Sequence, residues 1–253
     1  MIPTRLVVYG CSITSGFELA DTIIFSDLTE KEIDNKKKKI DIIEYINWQK
    51  TKTSLDQIKE LERNLAWPKY IADDLNIEYI NKAFPGGDTD SSIFLLEKDI
   101  NSKFILKTDI IIIAHTDIRR WFWIDNNGIS HNGCLGGTDK RWPTARFHKD
   151  FDRYVANKYH LGYHWYKNIK YLDMLSKNLN GMLLQQYCYS KLDQELLMDF
   201  QTDFTSLIDN QYSFKNILDL NDYANLHVFG HPKVNYHKTF ASHLLNRIRE
   251  KIL

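Results

Sequence analysis

Four consecutive isoleucines, Ile110 to Ile113, flanked by Asp109 and Ala114, constrain this chain more than any other segment. A β-branched run with no polar interruption suits a strand buried on both faces, which places it in a parallel sheet covered by helices. Arg5–Tyr9 reads as a second such strand, residues 77–80 as a short third, Met182–Tyr187 as a fourth and the neighbourhood of Ile217 as a fifth. Helical patterns separate them. One opens at Trp67-Pro68 and runs to Leu75, with Tyr70, Ile71 and Leu75 on one face. Another covers about 91–99, and the last runs over 234–252 with Phe240, Leu244, Leu245 and Ile248 facing inward. The strand–helix alternation predicts an α/β fold with helices on both faces of the sheet.

At 253 residues the chain suits a single domain, 1–253, carrying two departures from the simple alternation. Residues 28–64 are rich in Lys, Glu, Asp and Ile, with Ile33, Ile40, Ile43 and Ile46 at roughly helical spacing, and read as a helical insertion. Its run Lys36 to Lys39 is expected to be a solvated helix face with no ligand. Residues 124–166 are dense in Gly, Asn, His, Trp and Tyr and too long for a plain connection; a substrate-binding excursion and a loosely ordered loop both fit.

The 33 basic and 33 acidic residues cancel, which argues against nucleic-acid and anionic-membrane partners. Cys11, Cys134 and Cys188 form no Cys-x-x-Cys pair, so neither a disulfide framework nor a structural zinc site is expected, and a reducing compartment fits. The first residues lack the basic-then-apolar pattern of a signal peptide, and no run approaches the roughly 18 apolar residues of a membrane span. The expectation is a protein that is soluble and cytoplasmic as synthesised.

Ligands of an open parallel sheet bind beyond the carboxyl ends of its strands. Ser12 follows the first strand through Gly10-Cys11, Gly86 lies in the turn after the second, and Thr116 follows the isoleucine strand. His231, in Gly230-His231-Pro232, stands just before the last helix. A hydroxyl, backbone donors, a side-chain donor and an imidazole at one edge are sufficient for acyl transfer.

These segments resemble the SGNH (GDSL-type) hydrolases. Gly10-Cys11-Ser12-Ile13-Thr14 is similar to that family's first block and Asn81-Lys82-Ala83-Phe84-Pro85-Gly86 to its second. Ala114-His115-Thr116-Asp117 occupies the place of the third, and Gly230-His231-Pro232 resembles the fifth. The blocks fall in family order from residue 5 to 250, and the stretch from Thr116 to Arg119 with the Gly-His-Pro ending looks like divergent bacteriophage-encoded relatives. The resemblance implies a flavodoxin-like α/β/α sandwich with about five parallel strands, a serine esterase acting on a small or O-acetylated carbohydrate ester, and no metal or organic cofactor. Virion association joins the expectations on the same ground. Ser12 would be the nucleophile and His231 its base, with the N–H groups of Ser12 and Gly86 and the side chain of Thr116 binding the oxyanion. The family's acid sits three residues before the histidine, where this chain has Val228 followed by Phe229. The imidazole must then be oriented by a carbonyl, a water or a residue from elsewhere, such as Asp222. Ala114 and Cys11 also depart from the family's usual Gly and Asp.

Each residue has a plainer reading beside this one. Ser12 could cap a helix, Gly86-Gly87 could make a tight turn, Thr116 could simply end a strand, and His231 could pack at a helix start. His237 is expected on the surface of the last helix, Cys11 in the core, and His160 and His164 in packing or surface roles rather than on a metal. Arg119, Arg120, Trp121 and Trp123 are candidates for substrate contact, and Trp142, Tyr163 and Trp165 could extend an aromatic platform for a sugar ring. A binding module that kept the fold and lost efficient catalysis is the competing reading, and a transferase would use the same residues.

Overall fold

The isoleucine strand lies inside a parallel sheet. The computed structural model describes residues 2–116, 120–124, 130–134, 158–179, 181–187, 226–227 and 231–252, with the backbone alone for 120–124, 130–134, 158–159 and 187. Among these, strands β1 (Arg5–Tyr9), β2 (Glu78–Asn81), β3 (Asp109–His115) and β6 (Met182–Tyr187) form a four-stranded sheet in the order β2-β1-β3-β6. All its pairings are parallel, with Val7 opposite both Ile80 and Ile111, and Ile113 opposite Gln185. The fifth strand expected near Ile217 lies outside the described residues. Strands β4 (Arg120–Ile124) and β5 (Ser130–Cys134) form a separate antiparallel hairpin at the start of the aromatic excursion.

Alternation along the strands divides the core into two layers. Leu6, Val8, Ile110, Ile112 and Leu184 meet helices α6 (Trp67–Leu75) and α9 (Val234–Ile252) through Trp67, Ile71, Phe240, Leu244 and Ile248. Val7, Tyr9, Ile111 and Ile113 meet α7 (Thr89–Asn101) and α8 (Lys158–Asn178) through Ile93, Leu96 and Leu172. The result is the expected three-layer α/β/α sandwich. None of the described helices is long and apolar enough to cross a membrane.

Local sequence sets the helix starts. Helices α3 (Glu30–Lys37), α4 (Ile42–Lys50) and α5 (Leu55–Leu65) of the insertion each open with a capping box: Thr29 with Glu32, Asp41 with Glu44, and Ser54 with Gln57. Pro68 in the first turn of α6 and the left-handed Asn76 after it delimit that helix. The insertion has its own apolar cluster of Ala20, Ile24, Phe25, Ile33 and Ile58, with Trp48 stacked on Phe25 at 3.8 Å. The isoleucine spacing misreads its second helix: Ile43 is exposed, whereas Tyr45 and Gln49 face inward.

The chain runs from β1 to β2 on one side and then crosses to β3 on the other. The strand order therefore reverses between β1 and β3, and the crevice beyond their carboxyl ends is where such sheets take ligands.

Candidate active site

Ser12 is the first residue of α1 (Ser12–Ser15), a single turn that begins as soon as β1 ends. Three strand ends converge there. The Gly10 carbonyl accepts from Phe84 N–H at 3.3 Å, and Asn81 Nδ2 donates to Thr14 O at 2.7 Å, so the turn after β2 lies against the turn after β1. A Cβ built on Gly10 would come within 2.9 Å of Ala114 Cβ, which brings in the end of β3. Gly16 ends the turn at φ 85°, where a side chain would strike the Glu62 backbone.

Two residues on, just ahead of the one-turn helix α2 (Asp21–Ile24), Glu18 adopts φ 73°. A left-handed backbone at a non-glycine residue costs on the order of 1 kcal/mol and persists only where its surroundings enforce it. Here the Glu18 N–H donates to Glu62 Oε1 at 2.9 Å, and the fully buried Glu18 carboxylate faces His231.

His231 is held in a short loop closed by a bridge between Leu226 and Pro232 and by a His227 N–H bond to the His231 carbonyl at 2.8 Å. Its Nδ1 lies 2.6 Å from Glu18 Oε2 and its Nε2 lies 2.8 Å from Ser12 Oγ. With an anionic carboxylate on one side, Nδ1 must carry the proton, which leaves Nε2 free to accept from the serine hydroxyl. Burial pushes the Glu18 carboxyl up, but the hydrogen bond to His231 and the Lys37 ammonium outweigh it and hold the group below the usual range. A carboxylate that Val228 could not offer thus faces His231 from Glu18. Val228 and the proposed substitute Asp222 both lie outside the described residues. The sequence did carry a signal for Glu18: Glu18 and Asp21 are charged residues set among Phe17, Leu19, Ala20, Ile23 and Ile24, close after the serine.

The insertion reaches this relay from behind. Lys37 is fully buried, with Nζ paired to Glu18 Oε1 and, at 2.7 Å, to Asp21 Oδ2. This corrects the reading of Lys36 to Lys39 as a uniformly solvated face without a ligand, because the helix turns this one lysine inward while Lys36, Lys38 and Lys39 stay exposed. Asp21 Oδ1 accepts from Tyr45 Oη at 2.5 Å and from Gln49 Nε2 at 3.2 Å, which explains why α4 turns those polar side chains into the interior. Burial pushes the nearby Glu62 carboxyl up to about 8. Lys233 beside the histidine loop pairs with Glu30 of α3 at 2.5 Å, a second tie between insertion and loop.

The expected oxyanion donors are also placed. Among the described residues neither the Ser12 N–H nor the Gly86 N–H has a hydrogen-bond partner, whereas the Gly87 N–H donates to Phe84 O at 3.1 Å. Gly86 sits at φ 85°, and the space a side chain would fill there is open. Thr116 Oγ1 is buried with no partner among the described residues. A buried hydroxyl left in that state costs about 1–3 kcal/mol, so a ligand atom to bond would relieve it.

The remaining candidates divide. Arg119 and Trp142 lie outside the described residues, and Arg120, Trp121 and Trp123 are placed only as backbone of β4. Trp165 belongs to the core, edge-on to His115 at 5.7 Å, and the segment from Lys158 onward is helix α8 rather than loop; Tyr163 is exposed there. Cys11 is buried. His237 is not a surface residue: it is fully buried, and its Nδ1 accepts from the Trp67 N–H at 3.1 Å, capping α6 from α9, with burial pulling its pKa down to about 3. His164 lies 3.4 Å from Asp90, and exposed His160 is its neighbour at 6.2 Å between rings. Ligand atoms of Glu18, Asp21 and His227 fall within 4.8 Å of one another, as a metal site requires, but Lys37 already supplies the positive charge to both carboxylates.

No protein-family model matches the chain, and no curated protein matches it by sequence. Solved structures do resemble it. The likeness is to G-D-S-L proteins and acetylxylan esterases. A member of the lipolytic protein G-D-S-L family from Veillonella parvula has a TM-score of 0.49 at 10% identity, covering 96% of this chain and 97% of that one. A catalytic mutant of the acetylxylan esterase Axe2 from Geobacillus stearothermophilus gives 0.47 at 14% identity over 98% and 95% of the two chains. The acetyl xylan esterase Est2A from Butyrivibrio proteoclasticus gives 0.45 at 14% identity, covering all of this chain and 65% of the other. Likenesses this distant transfer no activity; the chemistry has to come from the side chains of this chain.

Proposed function

We propose that the protein is a serine esterase that works through an acyl-enzyme. The observation that carries this reading is the continuous relay from Ser12 Oγ through both ring nitrogens of His231 to the buried Glu18 carboxylate. Ser12 Oγ attacks the ester carbonyl as its proton passes to Nε2, and Glu18 stabilises the resulting imidazolium across Nδ1. The tetrahedral oxyanion is received by the N–H groups of Ser12 and Gly86, with the Thr116 hydroxyl as a further donor. Collapse expels the alcohol, which takes the proton from His231. A water activated by the same imidazole then releases the acid and restores the serine.

The substrate class to test first is a carbohydrate carrying O-acetyl groups, the class implied by the sequence resemblance. The near-complete burial of Ser12, 4% exposed, favours a short acyl chain. The binding-module reading rested on a missing acid, and Glu18 at 2.6 Å from His231 removes that ground.

A fluorophosphonate probe with mass-spectrometric mapping tests the reading. Labelling is expected at Ser12, lost in Ser12→Ala and His231→Ala, together with Ser12-dependent hydrolysis of p-nitrophenyl acetate. Folded wild-type protein that neither labels nor turns over would overturn it.

A further inference from the structure

Resting on the esterase reading, we propose that Lys37, from the helical insertion, is a positioning residue for the reaction. By neutralising one of two buried carboxylates it holds Glu18 as an anion facing His231, so that the insertion completes the site rather than decorating it.

The argument begins with a count of charge. Glu18 and Asp21 are both buried, and Lys37 is the one ammonium paired with either of them among the described residues. Tyr45 and Gln49 from α4 contribute neutral donors to Asp21, and Glu62 from α5 contributes a carboxyl that accepts the Glu18 N–H. His227 and His231 face the cluster from the histidine loop, and Lys233 and Glu30 pair at its rim. With His231 neutral the group Glu18, Asp21 and Lys37 carries a net charge of −1. When the serine proton reaches the imidazole, the same group plus His231 becomes neutral. The site is therefore arranged to be best balanced at the moment the imidazolium exists, which is where stabilisation accelerates a reaction.

Without Lys37 the resting cluster would hold two uncompensated negative charges in a medium that tolerates them poorly. It would take up a proton. The Glu18–His231 pair is one acceptor of that proton, and while the pair holds it, the imidazole either cannot act as a base or acts opposite a neutral carboxyl. Activity would return only as the pH rises far enough to remove the proton.

The test uses the full chain and p-nitrophenyl acetate, with kcat and KM measured across the pH range. Lys37→Met is expected to lower kcat about 100-fold at neutral pH, part of the ~10⁴-fold that losing the acid's role costs in a worked triad, with KM little changed. The rising limb of its kcat/KM profile should move to higher pH. Adding Asp21→Asn to Lys37→Met restores the resting charge of −1 while keeping the Oδ1 acceptor, and should recover at least about 10-fold in kcat. A merely structural lysine would leave kcat per folded molecule and the pH profile of both variants at their wild-type values. Lys38→Met, on the exposed side of the same helix turn, should match the wild type. If Lys37→Met does not fold, the double variant carries the decision alone: kcat within about 10-fold of wild type supports the proposal, and a larger loss in a folded double variant overturns it. Lys37→Met with a wild-type profile also overturns it and leaves the esterase reading intact. A wild type with no Ser12-dependent turnover removes the esterase reading, and this inference with it.

Discussion

Two buried ion clusters sit at opposite ends of the β1–β3 pair. At the amino end, Arg5 grips Asp109 through Nε at 2.9 Å and Nη2 at 2.7 Å, while Nη2 also donates to Phe104 O and Leu106 N–H donates to Asp109. One cation meets one anion, and the geometry is bidentate. At the carboxyl end, two carboxylates share one lysine, and the third partner is a histidine whose charge can change. The first cluster is closed and neutral; the second is open by one proton. Fully matched charges hold a sheet end in place, whereas a cluster left one proton short has room to accept one, as the proposed reaction requires.

Substitutions can break this contrast. The largest effect is expected from Glu18→Gln, which keeps the shape and removes the charge behind His231. Its kcat should fall by about 10³–10⁴-fold, read in single-turnover assays, while the melting temperature moves little. Asp109→Asn at the other end should do the reverse. Leaving Arg5 buried without its carboxylate should cost about 3–5 kcal/mol in urea unfolding, with kcat per folded molecule unchanged. A large drop in kcat there would show that the two ends are not independent.

Glu62 sharpens the comparison through pH. Its folded pKa is raised from 4.5 to about 8, so its contribution to stability is fully present below 4.5 and is lost as the pH rises through about 8. Denaturant midpoints should therefore fall across that window. Glu62→Gln, which retains the acceptor for the Glu18 N–H, should flatten the decline by on the order of 5 kcal/mol. The smallest effect belongs to Thr116→Val. Losing one of three oxyanion donors should lower kcat by about 10-fold, with KM for p-nitrophenyl acetate unchanged. An unaltered kcat would return Thr116 to the role of a strand-end residue.

The front of the site was legible in the sequence and the back was not, for a physical reason. Ser12, Gly86 and Thr116 follow strands, and strand ends are marked by the switch from β-branched runs to glycine and small polar residues. Once three such ends are recognised, sheet topology alone brings them to one edge. His231 was found by its place before an amphipathic helix. Glu18 is marked only as a charged residue in an apolar stretch, and its aim at His231 depends on a left-handed φ after Gly16 that no residue pattern announces at a glutamate. Lys37 sits in a run of four chemically identical side chains, and which one turns inward is decided by Asp21 and Glu18, partners 16 and 19 positions earlier in the chain. His237 misled for a related reason. A polar residue in a helix reads as exposed until the unpaired N–H of Trp67, 170 residues away in sequence, is seen to need it.

The bond between Ser12 and His231 joins residues 219 apart in sequence. As the chain leaves the ribosome, β1, the insertion and most of the sheet can form while Ser12 has no base beside it. Until α9 closes over α6 and delivers His231, the hydroxyl is an ordinary alcohol. On the esterase reading proposed above, ester turnover in a refolding experiment would time the docking of α9 and its histidine more directly than any spectroscopic probe of the sheet.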